Sequence, residues 1–297
     1  MSDKEPNIKI PVDLTNPGQF FACCGLLELA DRLWPGAEGW FESIDQFFLW
    51  TGGRATSTEP LCKTVIESAL TPLLPEDELE QLGHLNKRKA DLKKSKKPFP
   101  KTEETIRKRL NSKRIASGFS LGPPLNLRVD WWVIENCNGD ELKTWAGQQA
   151  ITGIADAIKA ALTVVADDNI FETETVVRRL SDAEPVAPLS FDAGRVGTAQ
   201  DIGYSPDKVG QAITCCVWTE ILTLIALQRF ALKPDPNNFF TFYVWREPLP
   251  ACVAAVAARG HFPQVIGCEG RFRLAGRDSG NRYKAFQQAT LTEWRST

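Results

Sequence analysis

From Ile8 to Leu14 the apolar residues Ile8, Ile10, Val12 and Leu14 alternate with more polar neighbours, the period of a strand with one buried face. Asn16 then offers a side-chain oxygen to cap a helix, and Pro17 suits its first position, where the missing N–H costs nothing. Phe20, Cys23, Cys24, Leu27 and Ala30 recur at helical spacing until Trp34-Pro35-Gly36 stops the run. Trp40-Phe41 and Phe47 to Trp50 flank a polar turn in the manner of a β-hairpin, and Leu61 to Leu70 predicts a second helix. The order β-α-β-β-α fits a ferredoxin-like unit that takes its last strand from later in the chain.

The pattern then breaks. Thr71 to Pro124 is poor in aliphatic and aromatic residues and dense in Lys, Arg, Pro and Ser, too polar to pack a core by itself. Within it Glu103 to Arg114 has helical charge spacing, while Ser95 to Thr102, with two prolines, reads as a linker. A strand resumes at Arg128 to Ile134, and Leu142, Trp145, Ile151, Ile154, Ile158 and Leu162 mark an amphipathic helix over Glu141 to Leu162.

Strands are predicted at Glu174 to Arg179 and Val186 to Phe191, followed by a glycine-bearing loop to Gly203. Ser205 and Pro206 then signal the start of a long helix with few charges, running to about Ala231, which should be the central buried helix of the second half. Phe239 to Trp245 predicts a strand, Ala251 to Ala258 a small-residue helix, and Arg271 to Ala275 a strand ahead of a glycine-basic turn. The chain divides into a first α+β unit at 1–70, a basic, partly flexible insertion at 71–127 and a second α+β unit at 128–297.

Composition sharpens one part of this picture. The 297 residues are 43% hydrophobic and 24% charged with a net charge of -2, which excludes a whole-molecule attraction to polyanions. Yet 13 of the 35 Lys and Arg, against 3 of the 37 Asp and Glu, fall between Lys87 and Arg114. An acidic body carries one strongly basic segment. Charge-free stretches such as Ile115 to Leu127 fall short of the ~18 apolar residues a membrane span needs. Met1 to Ile10 lacks the basic start and apolar middle of a secretory signal, so a cytoplasmic location is expected. The 8 cysteines include the vicinal pairs Cys23-Cys24 and Cys215-Cys216, expected inside apolar helical stretches, where reduced thiols serve as small hydrophobes. No C-x-x-C occurs, and neither His84 nor His261 stands at zinc-ligand spacing from a cysteine pair, so no metal or other cofactor is expected.

The basic segment is the first candidate site: Lys87, Arg88, Lys89, Lys93, Lys94, Lys96, Lys97, Lys101, Arg107, Lys108, Arg109, Lys113 and Arg114. Such a density of like charge becomes favourable when it neutralises phosphates and releases their condensed counterions. The second is the tail, where Gly270, Gly276 and Gly280 interleave with Arg271, Arg273, Arg277, Arg282 and Lys284, and Phe272 and Tyr283 are the nearby stacking candidates. The third is the loop Asp192 to Gly197, whose Arg195 is a candidate for contacting a backbone phosphate or, alternatively, for an ion pair with Asp192 or Asp201. That loop lacks both the Walker-type and the dinucleotide-binding glycine patterns, so nucleotide hydrolysis is not indicated.

The stretch Ile10 to Asp31 resembles CRISPR-associated proteins of the type I-G (formerly I-U) systems, specifically a small member of the b series. Phe191-Asp192 with its glycine loop, the Trp218 to Phe230 helix and the Arg271 to Phe286 tail are similar in the same order. The resemblance implies a subunit of an RNA-guided interference complex, in which protein grips strands by shape and backbone while base pairing reads sequence. It implies CRISPR RNA, target DNA and the other subunits of the complex as partners, no reaction, and a fold of two ferredoxin-like (RRM/RAMP-like) units with a basic insertion.

Two other readings are open from sequence. His261 is the better of the two histidines for a metal-independent endoribonuclease processing CRISPR RNA, although no oriented partner is visible. A protein–protein adaptor would use aromatics such as Trp40 and Trp131 as anchors. Glu220, inside the long apolar helix, is expected on a polar stripe with Thr219 and Thr223.

Overall fold

The computed structural model describes residues 4–133, 140–145, 149, 151–165, 168–173, 175–177, 189–194, 213–276 and 284–295. The chain is α+β, with seven α-helices and several small antiparallel sheets among the described residues. Strand β1 (Ile8–Pro11), helix α1 (Pro17–Leu33) and the hairpin β2 (Glu38–Ser43) and β3 (Gln46–Trp50) form the first group. β3 lies between β1 and β2, antiparallel to both. The local signals act as expected: the Asn16 side chain accepts from the Gly18 N–H at 3.1 Å, and Gly36, at φ 91°, takes the left-handed conformation that turns the chain after α1. Helix α2 (Glu59–Glu67) starts before Leu61 because Pro60 fits its first turn.

The middle of the chain builds β4 (Leu70–Pro72), two helices α3 (Glu76–Lys94) and α4 (Lys101–Ala116), and the strands β5 (Phe119–Leu121) and β6 (Leu127–Val129), with β4, β5 and β6 paired in that order. The strand expected over Arg128 to Ile134 stops at Val129. The Gln228 side chain captures the Asp130 N–H at 2.8 Å and the Trp131 indole donates to Leu224 O at 3.0 Å, which turns this stretch onto a helix instead.

Of the helix expected over Glu141 to Leu162, a 3₁₀ turn (Asp140–Leu142) and α5 (Ile151–Ala160) are described. β7 (Thr175–Val177) pairs with β8 (Ile213–Cys215), and α6 (Val217–Phe230) follows. The long helix therefore does not run unbroken from Ser205. The expected start at Ser205-Pro206 lies outside the described residues, residues 213–215 are extended, and α6 begins after Cys216.

β9 (Phe239–Trp245), α7 (Ala251–Ala257), β10 (Ile266–Gly276), β11 (Lys284–Phe286) and β12 (Thr290–Leu291) complete the chain. β10 pairs with β9 along one edge and with β11 and β12 along the other. It is longer than Arg271 to Ala275 because its glycines hide the alternation. Gly270 faces inward, where a Cβ would lie 2.1 Å from the Phe242 ring.

One aromatic core joins the two ends of the chain. Phe20 of α1 stacks on Phe242 of β9 at 4.2 Å and lies 5.7 Å from Phe41 of β2, while the Trp245 indole donates to Gly39 O at 2.7 Å. α1 and α6 lie side by side through this core. They approach so closely that a Cβ on Gly25 would sit 2.3 Å from Leu222 O, and one on Gly18 3.0 Å from the Thr219 side chain. Trp40 and Trp131 are buried in it, the latter edge-to-face with Trp132 and Trp145, so neither is available as a surface anchor.

The cysteines 23, 24, 62, 215, 216 and 268 are buried free thiols and Cys252 is an exposed one; Cys137 lies outside the described residues. Cys215 and Cys216 sit on β8 and at the N-cap of α6 rather than inside a helix. No helix among the described residues is long and apolar enough to cross a membrane.

Candidate nucleic-acid interface

Helices α3 and α4 form an antiparallel pair that packs on itself and makes little contact with the rest of the fold. The segment expected as a partly flexible insertion is thus largely helical, for electrostatic reasons. Glu76, Asp77 and Glu78 occupy the first turn of α3 and Lys93 and Lys94 its last; Glu103 and Glu104 open α4 and Lys113 and Arg114 close it. Both helices therefore complement their own dipoles. Because they run antiparallel, the acidic start of each faces the basic end of the other. Arg88 pairs with Glu103 at 3.2 Å, Lys89 with Glu104 at 3.0 Å and Lys113 with Glu78 at 2.5 Å. Hydrogen bonds from Arg107 and then from Lys89 hold the Glu104 carboxyl down at about 2. Leu82 and Leu110 are the buried side chains of this arm.

The acids engage Arg88, Lys89, Arg107 and Lys113. Lys87, Lys93, Lys94, Lys96, Lys97, Lys101, Lys108 and Arg109 are exposed and form no ion pair among the described residues, and the half-buried Arg114 donates to Asn111 at 3.2 Å. Five of these eight fall between Lys93 and Lys101, at the tip where α3 turns into α4.

The turn itself is made by a lysine. Lys97 N–H donates to Leu92 O at 2.9 Å and Lys96 N–H to Lys93 O at 3.1 Å, the two bonds of a helix-ending motif whose left-handed residue is ordinarily glycine. Here it is Lys96, at φ 54°, and the side chain costs about 1 kcal/mol in that conformation. Beside it, His84, Lys87, Arg88, Asp91, Leu92, Ser95 and Lys97 line an open groove of about 410 Å³.

The tail divides. Arg271 and Arg273 project from the outer face of β10 and are exposed, and Lys284 on β11 is half-buried. Phe272 is a core residue at 1% exposure, packed near Phe240 and Phe286, so it is not available to stack on a base. The aromatic at the surface is Phe239, with the Arg271 guanidinium 4.1 Å from its ring centre. Sequence reading missed it, although its place opposite Arg273 follows once β9 and β10 are paired. Arg195, Arg277, Arg282 and Tyr283 lie outside the described residues.

The start of the third candidate loop is held by a buried polar clasp. Asp192 accepts from the Asn16 side chain at 2.7 Å and from the Cys216 N–H at 2.9 Å, so it ties the starts of α1 and α6 together. Glu220 Oε1 accepts the N–H groups of Phe191 and Asp192 at 3.1 and 3.0 Å. Glu220 is fully buried with Thr219 and Thr223, a polar stripe that faces the interior rather than solvent. Burial pushes its carboxyl up to about 8, with the charge of Asp192 adding in the same direction.

His261 is exposed in the turn after α7, with no side-chain hydrogen bond among the described residues. No three His, Cys, Asp or Glu among the described residues are grouped to hold a metal ion. Comparison with protein families, curated proteins and solved structures finds no match to this chain.

Proposed function

We propose that this chain is a non-catalytic nucleic-acid-binding subunit that grips a phosphate backbone with the α3–α4 arm. The observation that carries the reading is the tip: Lys93, Lys94, Lys96, Lys97 and Lys101 crowd a projecting turn, exposed and free of ion pairs among the described residues. Mutual repulsion makes this arrangement unfavourable in isolation, and a polyanion relieves it with release of counterions. The left-handed Lys96 adds to the case, because glycine would hold the same turn with less strain.

The resemblance to type I-G CRISPR-associated proteins extends the proposal to a subunit of an RNA-guided interference complex, contacting guide RNA or target DNA by backbone and shape. For the first unit, a ferredoxin-like reading is supported by β3 lying between β1 and β2, antiparallel to both.

The test is a salt titration of binding to labelled RNA and DNA duplexes with the full chain and with a variant carrying Lys93→Ala, Lys94→Ala, Lys96→Ala and Lys97→Ala. The wild type should lose affinity steeply between about 50 and 200 mM salt, and the variant's log–log slope on duplex DNA should be shallower by up to about 3 to 4. Equal affinity and equal slope for the two proteins would falsify the reading.

A further inference from the structure

The outer face of the β9–β10 pair carries an arrangement that backbone gripping does not use. Along β9, Phe240, Phe242 and Val244 point into the core, and Phe239, Thr241 and Tyr243 are the half-buried outward set. On β10 the matching outward residues are Arg273, Arg271 and Glu269, in register opposite them. Arg271 reaches diagonally to place its guanidinium 4.1 Å from the centre of the Phe239 ring, and the guanidinium of Arg273 lies 5.9 Å from the same ring.

Arg271 is held there. Its guanidinium bonds the Asp235 carboxylate. That carboxylate is itself fixed by the N–H groups of Asn237 at 2.8 Å and Phe239 at 3.0 Å, in a turn where Asn238 takes φ 62°. Arg273 is anchored through its Nε to Gln287 at 2.7 Å.

A guanidinium is a planar cation that stacks on aromatic rings and on nucleobases alike. With its guanidinium carbon 4.1 Å over the Phe239 ring, the Arg271 side chain remains 43% exposed despite its ion pair, so an aromatic ring and a guanidinium are held together at the surface at a fixed position. An isolated surface salt bridge contributes little to stability, and the ring contact on an exposed strand adds no core. What the arrangement does supply is a preorganised plane with a second arginine beside it for the adjoining phosphate.

We infer that the Phe239–Arg271–Arg273 face is a stacking platform for an unpaired base of a single-stranded nucleic acid. This rests on the nucleic-acid reading above and adds the state of the strand: a base inside a duplex has no free face to offer, so the site takes single strands and rejects duplexes.

The experiment uses the full chain with the four arm lysines already changed to alanine, so that backbone gripping is reduced in every arm of the comparison. Binding of labelled oligouridylate and of an RNA duplex of equal length is measured for this protein and after adding either Arg271→Lys, which keeps the charge and removes the plane, or Phe239→Leu, which keeps apolar bulk and removes the ring. Each change is expected to weaken single-strand binding about tenfold. Duplex binding and the thermal midpoint should stay unchanged. A strand carrying 4-thiouridine should crosslink to Phe239 or to the 266–276 segment.

Undiminished single-strand binding in both variants, an equal loss on duplex, or crosslinks confined to other segments would overturn the inference. These outcomes are independent of the arm test: if the four lysines prove dispensable, the backbone grip fails while the platform is still read by Arg271→Lys.

Discussion

Helices α1 and α6 bury 13 of 17 and 12 of 14 residues, whereas α3 and α4 bury one residue each, Leu82 and Leu110. The first pair is held by shape: glycines let the backbones meet, and a buried hydrogen-bond clasp fixes how the helices start. The second pair is held by the order of its charges, which places acidic starts against basic ends. The contrast separates two kinds of helix pair. One is intolerant of added atoms and carries one ion pair across it, Arg229 with Glu28, whereas the other tolerates added atoms on its exposed faces and depends on several ion pairs that salt screens.

The strongest way to break the comparison is to crowd the close approach. Gly25→Val places side-chain atoms where Leu222 O now sits, and should cost at least about 3 kcal/mol in chemical denaturation, or prevent folding. An equally bulky change at exposed Gly83 in the arm, where a Cβ meets nothing within 4 Å, should leave the denaturation midpoint in place. If the two variants behave alike, the helix pairs are not built differently.

The clasp predicts a pH dependence. Glu220 titrates near 8 in the fold against an ordinary value of 4.5, so the folded chain binds the proton more tightly. Its stabilising contribution is full below about 4.5 and is lost as pH rises through about 8, at up to ~1.4 kcal/mol per pH unit. Denaturation curves of wild type and Glu220→Gln should therefore diverge on the order of 2 kcal/mol between about pH 6 and pH 8, the variant gaining in relative stability. Parallel curves across that range would mean the carboxyl is not buried in this way.

The smallest effect sharpens the comparison from the arm's side. Lys96→Gly relieves the left-handed turn, so hydrogen exchange at the end of α3 should slow by a free-energy difference of about 1 kcal/mol. Duplex affinity should fall at low salt as one cation leaves the tip. Stability and binding moving together in the same direction would show that the residue is there for the fold and not for the ligand.

These features differed in how far they could be read from residues alone. The capped start of α1, the β2–β3 hairpin and β9 are visible because each is decided within a few residues, by a cap, a turn or an alternation. The arm's helices are harder to see, since its buried leucines are sparse and its order comes from pairs such as Lys113 with Glu78, 35 residues apart. Glu220 reads only as part of a polar stripe with Thr219 and Thr223 until the N–H groups it receives, 28 and 29 residues earlier, are brought to it. The thirteen cations of the basic segment stand out by count, but only pairing separates the four engaged by acids from the exposed set at the tip. In the tail, Phe272, a stacking candidate by its place among the arginines, alternates inward, and the outward aromatic beside Arg271 is Phe239, which belongs to the neighbouring strand.

The stacking of Phe20 on Phe242 has a consequence for synthesis. A nascent chain that has emerged as far as Trp50 holds the first sheet's strands, with Phe21 and Phe41 beside Phe20, but lacks Phe242 and Trp245, the rings that close over its other side. Those rings leave the ribosome some two hundred residues later. The early segment must wait, with its apolar face exposed to whatever chaperone reaches it first, until the last strands arrive and close the core around α1.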